Sequence, residues 1–341
     1  MTFDGRIQVD DVTVCKYAII VLILFCALGF ASPQQQVGDM IRVQTTLVSV
    51  PVMVSDPVGG AVRGLAGSDF TIWDDGARRQ AAFFADTEEP IQIVLMLDTS
   101  KSTTTVLDRI RKAASEFVSQ LRPRDEAMVV SFDAEFRVLG RWSSDGREIK
   151  LAIRKAEVGD FVGTRMQDAV VRVVDKNLRS SRGRKAIILL TDGQDYGSTA
   201  SAEDMVRAVV DSGTVAYPVF YRVNRYELAR KLFGVSLSRS SAAGAMWEED
   251  ERAAAVLLRK VAEDSAGSFY QSEMTDLKKT FAQVAEQLRH QYLLAFYPDP
   301  ARVDGNEHAL RVTVSRPDLV VRSRGSYRAS ASPEIRPPSP D

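Results

Sequence analysis

From residue 91 onward the chain alternates short apolar runs with segments of helical period, and this alternation restricts the fold more than any other feature. Strands are expected at residues 91–97, 126–132, 185–190 and 214–221, with a shorter one at 268–270. Runs that are apolar throughout suit parallel strands covered on both faces. In the helical segment 106–121, Val106, Ile110, Ala113, Phe117 and Leu121 share one face. Ala169, Val170, Val173 and Val174 do the same in segment 165–178, and further helices are expected at 201–211, 254–266 and 275–290. Strands alternating with helices predict an α/β domain over residues 89–290. It would be a doubly wound, mostly parallel sheet with helices on both faces, Rossmann-like in its layers.

The flanks follow a different pattern. "VSVPVMV" alternates Val48, Val50, Val52 and Val54 against Ser49, Pro51 and Met53, which is the period of a half-buried strand. Pro51 suggests an edge position for it. "DFTIWDDG" reads as a strand closing on a hairpin turn. After residue 290, "YLLAFYP", "ALRVTVS" and "LVVRSRGSYR" return to β character. Two or three strands are marginal alone. The two flanks, residues 40–88 and 291–329, are therefore expected to form one small β-sandwich in which the α/β domain is inserted. Residues 222–251 are polar and rich in small side chains, and are expected to be a mobile insertion whose acidic run 248–251 is solvated loop, with a short helix around 226–233. The Pro- and Ser-rich tail, 330–341, is expected to be disordered.

The N-terminal stretch "KYAIIVLILFCALGFASPQQQ" carries an apolar run too short to span a bilayer comfortably, which needs about 20 residues. Residues 1–32 are read as a signal peptide, with an uncleaved anchor as the second reading because the stretch before Lys16 is long and acidic for a leader. Either places the protein outside the cytoplasm: periplasmic, secreted or at the cell surface. Both cysteines, Cys15 and Cys26, lie in this segment, so the remainder has no disulfide, thiolate metal site or cysteine nucleophile. The net charge of −1 lacks the basic excess of a nucleic-acid-binding protein.

"LMLDTSKS" ends the first expected strand of the α/β domain in Asp98, then places Ser100 and Ser102 on alternate positions. Ligands of open α/β sheets bind beyond the carboxyl ends of the strands. Two more groups fall at equivalent places: Asp192 in "LLTDGQD" and Thr164 in "DFVGTRM". Two carboxylates and three hydroxyls, without imidazole or thiolate, suit a hard cation such as Mg²⁺. Each residue also has a plainer reading. Ser100 and Ser102 could cap the following helix, Thr164 could cap its own, and Asp192 could serve a Thr-Asp-Gly turn. Asp133 and Asp195 are read as solvated loop acids outside the site.

Asp98, Ser100, Ser102, Thr164 and Asp192, in this order, resemble the von Willebrand factor A domain and its metal-ion-dependent adhesion site. The flanking segments "VRGLAGSDFTIWDDG" and "LVVRSRGSYR" are similar to exported bacterial proteins of the VWFA-related group. The resemblance implies that the serines coordinate a metal directly, that Thr164 does so directly or through water, and that the two aspartates act largely through water. It implies Mg²⁺, or Mn²⁺ or Ca²⁺, as cofactor and a protein ligand with an exposed acidic side chain as partner. Nucleic acid is not expected as a partner, and a membrane only through an N-terminal anchor. One position departs from the pattern: Lys101 stands between the serines where the family usually has glycine.

The function expected from these residues is metal-dependent protein binding, not catalysis. A scaffold whose metal is purely structural is the alternative, and a metal-assisted hydrolase a weaker one. The two histidines, His290 and His308, lie far along the chain from the strand ends, which leaves a Ser-His-Asp triad without an obvious base.

Overall fold

The computed structural model describes residues 47–330 except 59, 182, 224, 225, 228, 231–233 and 237–240. The expected signal peptide and the tail beyond residue 330 lie outside the described residues.

Four strands come first: β1 (Val48–Ser55), β2 (Phe70–Asp74), β3 (Ala77–Arg79) and β4 (Phe83–Ala85). The α/β region then runs through β5 (Ile91–Asp98), α1 (Leu107–Val118), β6 (Glu126–Phe132), β7 (Phe136–Ser143), α2 (Gly146–Arg154) and α3 (Met166–Val173). It continues through β8 (Arg184–Thr191), α4 (Ala202–Asp211), β9 (Val215–Tyr221), α5 (Ala242–Asp264), β10 (Tyr270–Ser272) and α6 (Leu277–Leu288). The chain closes with β11 (Gln291–Phe296), β12 (Asp304–Val314), β13 (Val320–Ser323) and β14 (Ser326–Ser330).

The central sheet has six strands in the order β10-β9-β8-β5-β6-β7. All its pairings are parallel except that of β7, which runs antiparallel on the edge. The period of two along β5 sends its side chains to two separate cores. Ile93, Leu95 and Leu97 pack with Ile110, Phe117 and Phe281 from α1 and α6. Val94 and Met96 pack with Val170, Val209 and Leu258 from α3, α4 and α5. Helices therefore cover both faces, as the alternation of elements requires. Strand β7 escapes a reading by periodicity, because it is nowhere fully buried and carries three charged or polar positions in "FRVLGRWS"; α2, which buries Ile149, Ala152 and Ile153 along one face, was also not among the expected elements.

Two four-stranded sheets, β13-β1-β11-β4 and β14-β12-β2-β3, combine strands from both flanks. Their inner faces meet in one cluster that includes Val50, Val52, Ile72, Tyr292, Leu294, Phe296, Val312 and Tyr327. Strand β1 lies inside its sheet, so the expected edge position of Pro51 is corrected. The proline is tolerated because pairing with β13 begins only at Val52, leaving Pro51 a ladder partner on the β11 side alone. The phenol of Tyr292 closes this core by accepting from Leu65 N at 3.2 Å and donating to Val62 O at 3.1 Å. Tyr292→Phe would leave a buried backbone N–H unmatched, and is expected to cost about 1–2 kcal/mol in a urea unfolding curve.

Where the chain passes between the two modules, Arg184 donates to the carbonyls of Thr87 and Glu89 at the entry to the inserted region and of Leu288 at its exit. Arg324 of the returning β segment is buried and donates to Val210 O at 2.6 Å, at the carboxyl end of α4. A Cβ at Gly213 would come within 2.6 Å of Ser49 Cβ, so the backbones touch there. All these contacts lie at the amino ends of the parallel strands. The carboxyl ends, on the order of 20 Å away at about 3.3 Å per residue, are left to other work.

The expected mobile insertion needs correction at its carboxyl end. Residues from Ala242 onward belong to α5, so Glu248, Glu249, Asp250 and Glu251 lie on a helix and not in a loop. Ser241 caps it, accepting from Gly244 N at 3.1 Å, and "AAGAMWEEDERAAA" is rich in strong helix formers. Glu251 pairs with Arg222 at 2.5 Å, which fastens the middle of the helix to the chain just after β9. The expected short helix falls partly outside the described residues; Tyr226, Glu227, Ala229 and Arg230 are helical.

Candidate metal centre

Asp98 is the last residue of β5, the strand with β6 on one side and β8 on the other. Its carboxylate is fully buried. Oδ1 accepts from Ser100 N at 3.0 Å and from Ser100 Oγ at 2.5 Å, and Oδ2 accepts from Thr191 Oγ1 at 2.9 Å. Ser102 Oγ lies 2.9 Å from Ser100 Oγ. The Asp-x-Ser-x-Ser spacing thus turns into a continuous row of oxygens.

The capping alternative fits the position of Ser100 but not its bonding. Ser100 stands at the start of the 3-10 turn Lys101–Thr105, yet its hydroxyl makes no capping bond. Thr103 holds that turn instead, donating from N at 2.9 Å and from Oγ1 at 2.8 Å to Ser100 O. Thr164 is no cap either. Arg165 is the residue that precedes α3, and the first free N–H groups of the helix go elsewhere: Gln167 N to Asp195 Oδ2 at 2.8 Å and Asp168 N to Ser198 Oγ at 3.2 Å.

Asp192 follows directly on β8 and is buried. Its Oδ1 accepts from Gln194 N at 3.3 Å, so the turn role expected as a plainer reading is present as well. Gly193 has φ +80°, and a Cβ there would lie 2.6 Å from Ala254 Cβ and 2.9 Å from Phe220. Only glycine lets this turn press against α5 and β9. Thr191 joins the two acidic turns, since its hydroxyl donates to Asp98 and accepts from Gly193 N at 2.9 Å.

The Thr164 loop is sewn to both neighbours through its backbone. Thr164 and Tyr196 exchange main-chain bonds of 2.7 and 3.3 Å. Arg165 N donates to Asp133 O at 2.8 Å, and Gly159 N to Thr99 O at 2.9 Å. Asp133 is the post for this arrangement and is corrected from a solvated acid to a fully buried one. It accepts from Thr99 Oγ1 at 2.8 Å, Glu135 N at 2.9 Å and Arg137 at 2.6 Å. A Cβ at Gly159 would fall 2.5 Å from its carboxyl group, so the loop approaches Asp133 as closely as it does only because that residue is glycine. The sequence held a signal for it: Asp133 follows β6 as Asp192 follows β8. Asp195 is likewise structural, receiving Gln167 N, Ser198 N and Ser198 Oγ. Tyr221, at the end of β9, was not anticipated; its hydroxyl is buried without a hydrogen-bond partner among the described residues, and its proton is held by burial and by the charges of Asp98 and Asp192.

Burial pushes the Asp98 carboxyl up to about 7, and the charge of Asp192 adds to the effect, against the hydrogen bonds from Ser100 and Thr191. Two buried acids that repel each other call for a proton or a cation between them. Among the described residues no three His, Cys, Asp or Glu side chains are grouped to hold a metal. Any cation here would therefore draw on hydroxyls beside the carboxylates, and an all-oxygen set of this kind fits a hard divalent ion. Lys101 makes no ion pair among the described residues, and Asp195 is engaged by Gln167 and Ser198. Neither histidine joins these residues. His290 Nδ1 lies 2.5 Å from Glu286 O, and His308 sits between Asp75 and Asp304.

Residues 93–194 match the family model of the von Willebrand factor type A domain. No curated protein matches the chain. Among solved structures, the chain is similar to the vWF domain of the type V pili tip protein Mfa5 from Porphyromonas gingivalis, with 14% identity, 58% of this chain and 95% of that chain covered, and a TM-score of 0.44. It is similar to the conserved hypothetical protein BatB from Bacteroides thetaiotaomicron, with 15% identity, 57% and 99% coverage, and a TM-score of 0.41. A third is proximal thread matrix protein 1 from the mussel byssus, with a zinc-occupied MIDAS motif, at 17% identity and TM-score 0.46; the match covers 63% of this chain and 49% of that one.

Proposed function

Residues 93–194 are a von Willebrand factor type A domain, and from that premise we propose that the chain is a metal-dependent protein-binding module. Asp98, Ser100, Ser102, Thr164 and Asp192 would hold a divalent cation, Mg²⁺ or else Mn²⁺ or Ca²⁺, at the carboxyl edge of the sheet. When bound, the cation supplies a Lewis-acidic position for a carboxylate of a protein partner. The observation that carries this reading is the pair of buried, mutually repelling carboxylates joined to a row of hydroxyls, at the end of the sheet that the β-sandwich leaves clear. Asp98 and Asp192 balance the charge of the cation, while the neutral hydroxyls leave it electron-poor toward an incoming acid. Binding is favoured over histidine-assisted hydrolysis because both histidines are engaged away from the serines, so neither imidazole serves Ser100 or Ser102 as a base. Export to the periplasm, the medium or the cell surface is part of the proposal; among the described residues no helix is long and apolar enough to cross a membrane.

A macromolecular partner is favoured by what surrounds the site. Phe161 and Val162, just ahead of Thr164, are 59% and 88% exposed, and Tyr196, whose backbone pairs with that of Thr164, is 50% exposed. Exposed aromatic and aliphatic side chains beside a charged centre are typical of a contact surface. Calorimetric titration of the protein with Mg²⁺ and Mn²⁺ tests the metal; absence of binding overturns the reading. Capture of a partner from the producing cell's own surface proteins, with and without chelator, tests the binding. The double variant Phe161→Ser, Val162→Ser is expected to weaken that capture about 10-fold or more while leaving metal affinity unchanged.

A further inference from the structure

We propose that Tyr221 is a positioning residue of the metal centre: its buried hydroxyl donates to a water that links Asp98 and Asp192 to the cation. This rests on the metal-dependent reading above and deepens it, by naming what holds the hydration shell on its buried side.

Strand geometry brings the phenol to the acids. In the parallel pairing of β8 with β9, Leu190 lies opposite Val219 and Thr191 opposite Phe220. Asp192 and Tyr221 are the next positions on the two chains. Leu190, Val219 and Tyr221 all belong to the core on the α1 and α6 side of the sheet. Alternate residues of a strand share a face, so the step of two from Leu190 sends Asp192 to the side of Tyr221. The electrostatics agree. Beyond burial itself, the charges that hold the proton on the Tyr221 hydroxyl are those of Asp98 and Asp192.

Tyr221 is fully buried, and its hydroxyl has no hydrogen-bond partner among the described residues. A buried polar group left unmatched costs stability, and phenylalanine would fill the same space without that cost. The phenol is near enough to feel both acids yet bonds directly to neither, which is the relation of groups joined through water. A buried water is held by several polar partners, and here its valences close. Its two protons go to the carboxylates of Asp98 and Asp192. Of its two lone pairs, one faces the cation and the other accepts from Tyr221. Because the phenol keeps its proton, it serves as a donor and not as a ligand. Mg²⁺ parts with its waters reluctantly, so a water fixed in advance on the buried side favours its binding.

The same strand supplies a control. Tyr217 lies on the same face four residues earlier, about 13 Å back along β9. Its hydroxyl is likewise buried without a hydrogen-bond partner among the described residues. The groups that act on it are Tyr270, Arg322 and Arg184, not the acid pair.

The test uses the full chain with Mn²⁺ as the probe and compares the parent with Tyr221→Phe and Tyr217→Phe. Tyr221→Phe is expected to bind Mn²⁺ about 10-fold more weakly, as on loss of an outer-shell partner. Its metal-free melting temperature should equal or exceed that of the parent, because an unmatched hydroxyl is gone. Tyr217→Phe should keep the parent's affinity. Nuclear relaxation of labelled water oxygen, which reads exchange of Mn²⁺-bound water, should lose its slowest component in Tyr221→Phe alone. If Tyr221→Phe binds Mn²⁺ as the parent does, or both variants weaken equally, the role of Tyr221 is overturned while the metal-dependent reading stands. A Tyr221→Phe protein that melts below the parent without metal overturns it too, since the hydroxyl would then be structural. If the parent binds no Mn²⁺, both fall together.

Discussion

Asp98→Asn is expected to lower the affinity for Mg²⁺ or Mn²⁺ about 100-fold or more, while the metal-free protein at pH 8 melts within about 2 °C of the parent. Losing even an outer-shell partner of a metal typically costs 10–100-fold in affinity, and here one of the two charges that balance the cation disappears. The fold should survive for a separate reason. Asparagine keeps the shape of the side chain and one oxygen to accept from Ser100 N, which lies 3.0 Å from Asp98 Oδ1. The amide gives up the bond from Thr191, and in exchange the repulsion between two buried carboxylates is relieved. Asp98→Ala would be a poorer probe, because it strands Ser100 and Thr191 without an acceptor. Isothermal calorimetry beside a thermal melt separates the two effects. A variant that binds metal normally would show that Asp98 is not part of the site; one that loses both metal and fold would show that the carboxylate is chiefly structural.

The central sheet was legible because its strands are apolar throughout and its helices carry clear apolar stripes. β6 begins and ends where periodicity places it, and β5 extends one residue further, to Asp98 itself. What was missed has physical causes. β7 pairs on one side only and faces solvent over much of its length, so its sequence carries no burial pattern. The start of α5 looked like loop because its residues are small and acidic, yet alanine and glutamate are sound helix formers once Ser241 caps the end. In the site, Asp98, Ser100 and Ser102 were legible because they are neighbours in sequence and need only one turn to meet. Asp133 was misread because its burial depends on Gly159, Thr99 and Arg137, three partners from separate positions that no local pattern reveals. Tyr221 escaped notice for the same kind of reason: its nearness to two acids arises only when β9 takes its place beside β8.

The metal-free protein should lose stability as pH rises from about 4 to about 7, and a divalent cation should restore more of it at pH 8 than at pH 5. The sign follows from the Asp98 carboxyl, which moves from the ordinary 3.8 to about 7 on folding. Between those values the folded state holds more protons than the unfolded state, so stability falls with rising pH, opposite to the behaviour of a salt-bridged carboxylate. A cation competes with the proton for the same oxygens, and therefore binds best where the proton has left. At about 100 times its dissociation constant it would add about 2.7 kcal/mol, which is about 4 °C for a chain of 341 residues. His308 contributes a fall of the same sign. Its ring is held between Asp304 and Asp75 at 3.0 and 2.8 Å, which raises its pKa above 6.5, so its stabilisation is complete below that value and disappears as pH rises through the higher one. The two are separable because His308 lies in β12, apart from the Asp98 turn, and cannot be compensated by metal bound there. Melting curves from pH 4 to 9, chelated and loaded, should differ progressively from pH 5 upward. Asp98→Asn should flatten the chelated curve between pH 4 and 7 while leaving the His308 decline above 6.5. Equal stabilisation by cation at pH 5 and pH 8 would mean that the ion binds somewhere other than the buried acid pair.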